Sequence, residues 1–132
     1  MITNENFQGY NLLSTKADFT AYTHGKKGTS KLSILPDIDL YLEQIANDKG
    51  EHCGNEFKAT LSASLIGMRD EIQTFSLIAS FCLTFDLGKD ADLTQDDVDK
   101  SQEIIYSKAS ESAEDIFKLI LSMTSIKHRM IG

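Results

Sequence analysis

Cysteine, proline and tryptophan are scarce: the chain has two, one and none of them in 132 residues. Cys53 and Cys82 lie far apart with no histidine at metal-ligand spacing, so neither a disulfide framework nor a zinc site is indicated. A reducing cytoplasm is the expected compartment. Positive charge is also in deficit, with 13 Lys and Arg against 20 Asp and Glu and a net charge of −7. That sign disfavours a nucleic-acid backbone or an anionic membrane as partner, and leaves a basic or polypeptide partner. The opening MITNENFQGY lacks the basic and apolar regions of a signal peptide, and no apolar run approaches the ~20 residues of a membrane span. Catalytic signatures are missing too. There is no glycine-rich phosphate loop, Gly-x-Ser-x-Gly elbow or metal-holding His-carboxylate spacing, and TQDDVDK (94–100) lacks the glycine and distal Glu of a calcium loop. The expectation is a non-enzyme without metal or cofactor.

What is present is alternation with period two, recurring four times. Residues 10–22 place Leu13, Ala17, Phe19 and Ala21 on one face and Tyr10, Leu12 and Tyr22 on the other. Residues 31–45 place Leu32, Ile34, Ile38, Leu40 and Leu42 opposite Lys31, Ser33, Asp37, Asp39 and Glu43, and Pro36 fits an edge strand or a bulge. Residues 56–66 and 74–87 are apolar at odd positions and mostly Ser, Thr or Lys at even ones, joined by a charged connection over 67–73. Thr94 is a helix N-cap followed by acidic residues, and a helix is expected over 95–108. The small residues of SKASES (107–112) suggest a break before a second helix over 112–129, with Lys127, His128 and Arg129 in its last turn. The expected fold is therefore one α+β domain over 1–132: a four-stranded antiparallel sheet with a broken C-terminal helix packed on one face.

Such a sheet is about 19 Å across at ~4.8 Å per strand, whereas a helix with its side chains is about 10–12 Å wide. One helical layer leaves a lane of apolar side chains over, and an apolar patch of that kind marks an interface. Self-association and a groove for another chain would both use it, and the two are compatible.

Three segments resemble the SecB-like chaperone family: STKADF (14–19), TLSASL (60–65) leading through a carboxylate-bearing turn to TFSLIASFCLTFDL (74–87), and SAEDIFKLILSMTS (112–125). The similarity covers about residues 7–127. It implies a cytoplasmic homo-oligomer, dimer or tetramer, acting as an ATP-independent holdase for unfolded or extended polypeptide. Clients would be preproteins or antitoxin-like chains, which connects the resemblance to protein transport and toxin–antitoxin systems. A translocase motor or a toxin–antitoxin component is an implied partner.

Leu12, Tyr22, Leu35, Tyr41, Ile66 and Ile78 are the client-binding candidates, chosen as apolar residues on faces the helix is not expected to claim. Asp18, Asp37, Asp39, Asp70 and Glu71 form a candidate acidic docking surface, with a solvated polar face as the ordinary alternative. His24, His52 and His128 are scattered and read as surface or structural residues. The competing function is an acidic inhibitor, of phage or mobile-element anti-defence type, that binds one folded, basic target. Against it stands the amount of apolar sheet face, which a charge mimic does not need.

Overall fold

A computed structural model of the chain describes residues 2–19, 27–89, 93–123 and 127–131. The longest alternating stretch forms a hairpin of β4 (His52–Arg69) and β5 (Ile72–Gly88). It exceeds the expected 56–66 and 74–87 because the connection is only Asp70–Glu71, with Arg69 paired to Ile72. Both turn residues have positive φ, 51° and 65°, as in the two-residue turns whose twist matches that of the flanking strands. Asp-Glu is not the Asn-Gly that announces such a turn, so the charged loop expected over 67–73 is paired strand at both ends.

The remaining strands assemble on this hairpin. β1 (Phe7–Asp18) pairs antiparallel with β5, while β2 (Lys27–Ile34) and β3 (Asp39–Ala46) lie antiparallel along successive halves of β4's other edge. These five strands pair antiparallel, whereas β6 (Lys127–Ile131) runs parallel to β2. The fold is α+β with a mainly antiparallel sheet in the order β1-β5-β4-β2-β6, β3 also on β4. Six strands thus replace the expected four. The single strand expected over 31–45 is divided around Pro36: the Leu35 N–H still donates to Ser62 O at 2.9 Å, but proline has no N–H with which to continue the ladder. The first strand begins and ends earlier than 10–22, and residues 20–26 lie outside the described residues.

One face of this sheet carries a helical layer. α1 (Gln95–Lys100) starts at Thr94, whose hydroxyl accepts the Asp97 N–H at 3.2 Å. The Thr94 N–H and hydroxyl donate in return to the Asp97 carboxylate, holding it below the usual carboxylate range. The chain bends at Ser101 and continues as α2 (Gln102–Ser122). The bend is therefore earlier than expected, and SKASES is uninterrupted helix. Its small residues serve close approach instead: Ala109, Ser112 and Ala113 are buried between helix and sheet. Ser101 is buried as well, its Oγ donating to Asp97 O at 2.7 Å and accepting the Ile2 N–H at 3.3 Å. The helix expected to reach 129 stops at Ser122, and Lys127, His128 and Arg129 belong to β6.

The core lies between α2 and the odd-numbered side chains of β4 and β5. Phe57, Leu61, Leu65, Phe75, Leu77, Phe81, Leu83 and Phe85 meet Ile105, Ile116 and Phe117 there. Phe85 contacts Phe7 and Phe57 with ring centroids 5.4 and 6.2 Å away. Gly67 sits under Phe75, and a Cβ built on it would overlap the ring. Gly67→Ala is accordingly expected to destabilise the fold by about 1–3 kcal/mol, seen as a lower urea midpoint at unchanged slope. Glu71→Gly removes a side chain from a left-handed conformation and should stabilise by about 0.5–1 kcal/mol in the same measurement.

Candidate functional site: the sheet margins and uncovered face

The helix shields the middle of the sheet and leaves its margins open. Along β5 the inward residues Ala79, Phe81, Leu83 and Phe85 have no exposure. Their helix-side neighbours on β1 do: Tyr10, paired with Leu83, is 39% exposed and Leu12, paired with Phe81, 45%. On the opposite margin Leu42, paired with Phe57, is also 45% exposed. Leu32, Ile34, Ile38 and Leu40 precede it along that margin, half-buried against the core. Exposed Tyr106, Leu119 and Met123 add apolar surface to α2.

The other face has no helix on it among the described residues. Cross-strand pairing arranges its side chains in rows, since directly opposed residues project to the same side. One row is Asp18, Ser76, Ile66 and Lys31; the next is Lys16, Ile78, Ser64 and Ser33. Ser14, Ser80 and Ser62 follow, the last two hydrogen-bonded at 2.7 Å. Beyond them come Asn11, Cys82, Thr60 and Asp39, then Thr84, Lys58 and Tyr41, and finally Asp86, Glu56 and Glu43. Small hydroxyl side chains occupy the centre, so Tyr41 and Ile78, 44% and 38% exposed, stand out from it.

The candidates divide accordingly. Tyr41, Ile66 and Ile78 share the uncovered face. Leu12 does not: the register shifts at Leu13, which re-phases β1 and puts Tyr10 and Leu12 on the helix side with Ala17 and Phe19. The sequence placed these pairs on opposite faces, because a bulge has no composition signal here. Leu35 is half-buried in the break between β2 and β3. Tyr22 lies outside the described residues.

The five acidic candidates are not assembled into one surface. Asp18 and Asp39 are on the uncovered face but on different margins and in different rows, Asp37 is in the break at Pro36, and Asp70 and Glu71 form the hairpin turn. The acidic row that the face does hold, Asp86, Glu56 and Glu43, was not singled out from sequence, nor were Tyr10 and Leu42. Pairing partners decide both, and partners are not visible in a single strand.

Polar chemistry on the face is that of ion pairing. The Lys58 ammonium lies 3.0 Å from Glu43 and 3.9 Å from Glu56. Its hydrogen bond to Glu43 and the charges of both carboxylates raise its pKa, against the smaller opposing effect of burial. Cys82 is buried with its Sγ 4.0 Å from the Tyr41 hydroxyl. His52 Nε2 is 2.8 Å from Gly54 O and 3.2 Å from Asn55 Oδ1, bridging a strand end, and His24 lies outside the described residues. Among the described residues no group of three or more His, Cys, Asp or Glu could hold a metal ion, and no helix is long and apolar enough to cross a membrane. The surface offers apolar contact, and among the described residues the outer edge of β3 carries no further strand.

No protein-family model, curated protein or solved structure matches the chain.

The Lys58–Glu43 pair generates a test of its own. A double-mutant cycle with Lys58→Met and Glu43→Gln should give a coupling of about 0.2–1 kcal/mol, the range for partly exposed pairs. Because the Lys58 pKa is raised in the fold, this contribution is complete below the ordinary value of 10.5 and is lost as pH rises through the higher folded value. Unfolding measured at pH 8 and at pH 11.5 checks the sign.

Proposed function

We propose that the chain is an ATP-independent holdase that binds unfolded or extended polypeptide by apolar contacts at the sheet margins and on the uncovered face. The observation that carries this reading is the exposure of Tyr10, Leu12 and Leu42 beside a fully buried core, in a chain of net charge −7. Each buried stretch of client returns roughly 25 cal/mol per Å² of apolar area, and several moderate contacts combine through avidity. No nucleotide chemistry is needed for such binding. Surplus negative charge keeps the unliganded protein soluble and favours clients rich in Lys and Arg, an attraction that weakens with salt.

The arrangement of elements supports the SecB-like resemblance. If β2 and β3 are counted as one strand broken at Pro36, four antiparallel strand positions precede the helices, as that family implies. Homo-oligomerisation belongs to the same reading, because a second copy on either margin would cover apolar surface that the lone α2 layer leaves open. A preprotein, or an antitoxin-like chain, is the client class the resemblance suggests.

The wild-type chain is expected to suppress aggregation of an unrelated unfolded protein and to enhance the fluorescence of an apolar dye. Leu12→Asp, Leu42→Asp, Tyr41→Asp and Ile78→Asp lie at half-exposed strand positions and should each cost about 0.5–2 kcal/mol while keeping the wild-type circular dichroism. The first two should weaken protection several-fold. Equal protection by both, at unchanged oligomeric state by light scattering, would place the client elsewhere. Loss of all protection in the wild type, with tight binding to one folded basic target, is the result an acidic inhibitor would give.

A further inference from the structure

The outer edge of β2 already carries an extended segment. Residues 127–131 lie along it in parallel register, Lys27 beside Lys127 through Lys31 beside Ile131. This occupancy is partial. Among the described residues β2 continues through Leu32, Ser33 and Ile34 without a β6 partner, and β3 has no neighbour on the edge away from β4. The two strands present their free backbone groups along the margin that holds Leu32, Ile34, Leu40 and Leu42. An edge of unpaired N–H and C=O groups is a template for another strand, and backbone pairing is tolerant of sequence.

We propose that the β2 edge is a strand-accepting site, occupied in cis by Lys127–Ile131 and in trans by an extended, basic polypeptide. The nature of the trans occupant rests on the holdase reading; acceptance of a strand does not. The cis pairing sets Lys127 beside Lys27, which weakens that occupant; the basic character of the trans occupant follows from the net charge of −7 and from Asp39 and Glu43 on β3, which a longer strand reaches. A five-residue parallel strand is a weak occupant, since parallel pairing is slightly less stable per residue than antiparallel. Being tethered, it competes at high effective concentration and keeps the edge from pairing indiscriminately. A longer strand prevails by reaching what the cis segment leaves open, first Leu32 to Ile34 and then, past Pro36, the flank of β3. The self-segment thereby selects for clients that are both extended and long.

The test uses the full-length chain carrying Arg129→Pro and Met130→Pro together. Successive residues of a strand point their N–H groups to opposite sides, so one of the two prolines removes a donor toward β2. A fluorescein-labelled peptide of sequence KHRMI, read by polarisation, is expected to bind this variant about tenfold more tightly than wild type, which is what cis occupancy of roughly nine-tenths costs a competitor. The peptide with prolines at the same two positions should bind neither protein. A variant that keeps the wild-type circular dichroism but binds the peptide no better than wild type overturns the proposal.

A second measurement needs no variant. Hydrogen exchange of the wild type is recorded with and without reduced, carboxamidomethylated lysozyme, an unfolded and basic chain. Deprotection of amides 127–131 with continued protection of 27–31 supports displacement; bound lysozyme that leaves 127–131 protected overturns it. If the wild type holds no unfolded chain but the proline variant captures the peptide, the strand-accepting edge stands and the holdase reading falls.

Discussion

Register in the central hairpin is the constraint on which everything else rests. From Phe57 to Gly67, β4 opposes β5 so that Phe57 meets Phe85, Leu61 meets Phe81 and Leu65 meets Leu77, all on the face that α2 covers. A shift of β4 by one residue against β5 would turn Phe57, Leu61 and Leu65 outward and bring Lys58, Ser62 and Ser64 against the helix. The burial of apolar area that stabilises the domain exists only in one register, so the two-residue turn at Asp70–Glu71 is a determinant of the fold despite its exposure and its left-handed backbone. β1 and the β2/β3 pair then inherit their own faces from the strands they join. Helix position follows in turn, because Ala109, Ser112 and Ala113 admit the sheet only where it is already filled by rings.

The parts of this architecture that show in the sequence are those with a local physical cause. Odd-position apolar residues marked the buried face of β4 and β5, Thr94 marked the start of α1, and Pro36 marked an interruption on a sheet edge. Other features depend on partners. Nothing in SKASES distinguishes small residues that end a helix from small residues that let it pack closely. KHRMI has too few residues to show a period, and basic residues after a helix read naturally as complements to its dipole. The bulge at Leu13 lacks the glycine that signals such a shift, so alternation alone assigns Leu12 to the face away from the helix. Of the contact surface, Tyr41, Ile66 and Ile78 could be grouped by alternation alone. Tyr10 and Leu42 could not, since their exposure is set by where the helix stops being wide enough.

The two faces of the sheet divide the chemical labour. Beneath α2 the surface is rigid, aromatic and dry at its centre, becoming accessible toward both margins. The opposite face is smooth and hydroxylated, with few side chains rising above it and its charges partly neutralised by Lys58. An unfolded partner differs from a folded one in presenting apolar side chains and unpaired backbone together. The margins of this sheet meet both needs at once, whereas the hydroxylated face alone would meet neither strongly. Function on this reading lies where the packing of the domain is incomplete, and it requires no departure from the rules that build the rest.

β1 lies beside β5, so Phe7 waits for Phe85. At roughly 5–20 residues per second of synthesis, the first strand spends several seconds emerged and unpaired before its neighbour leaves the ribosome. Its two-sided apolar segment around Tyr10, Leu12 and Leu13 is meanwhile a target for whatever binds nascent chains. If the proposed holdase function holds, each newly made copy passes through a stage in which it presents the same kind of extended, apolar segment that finished copies would bind.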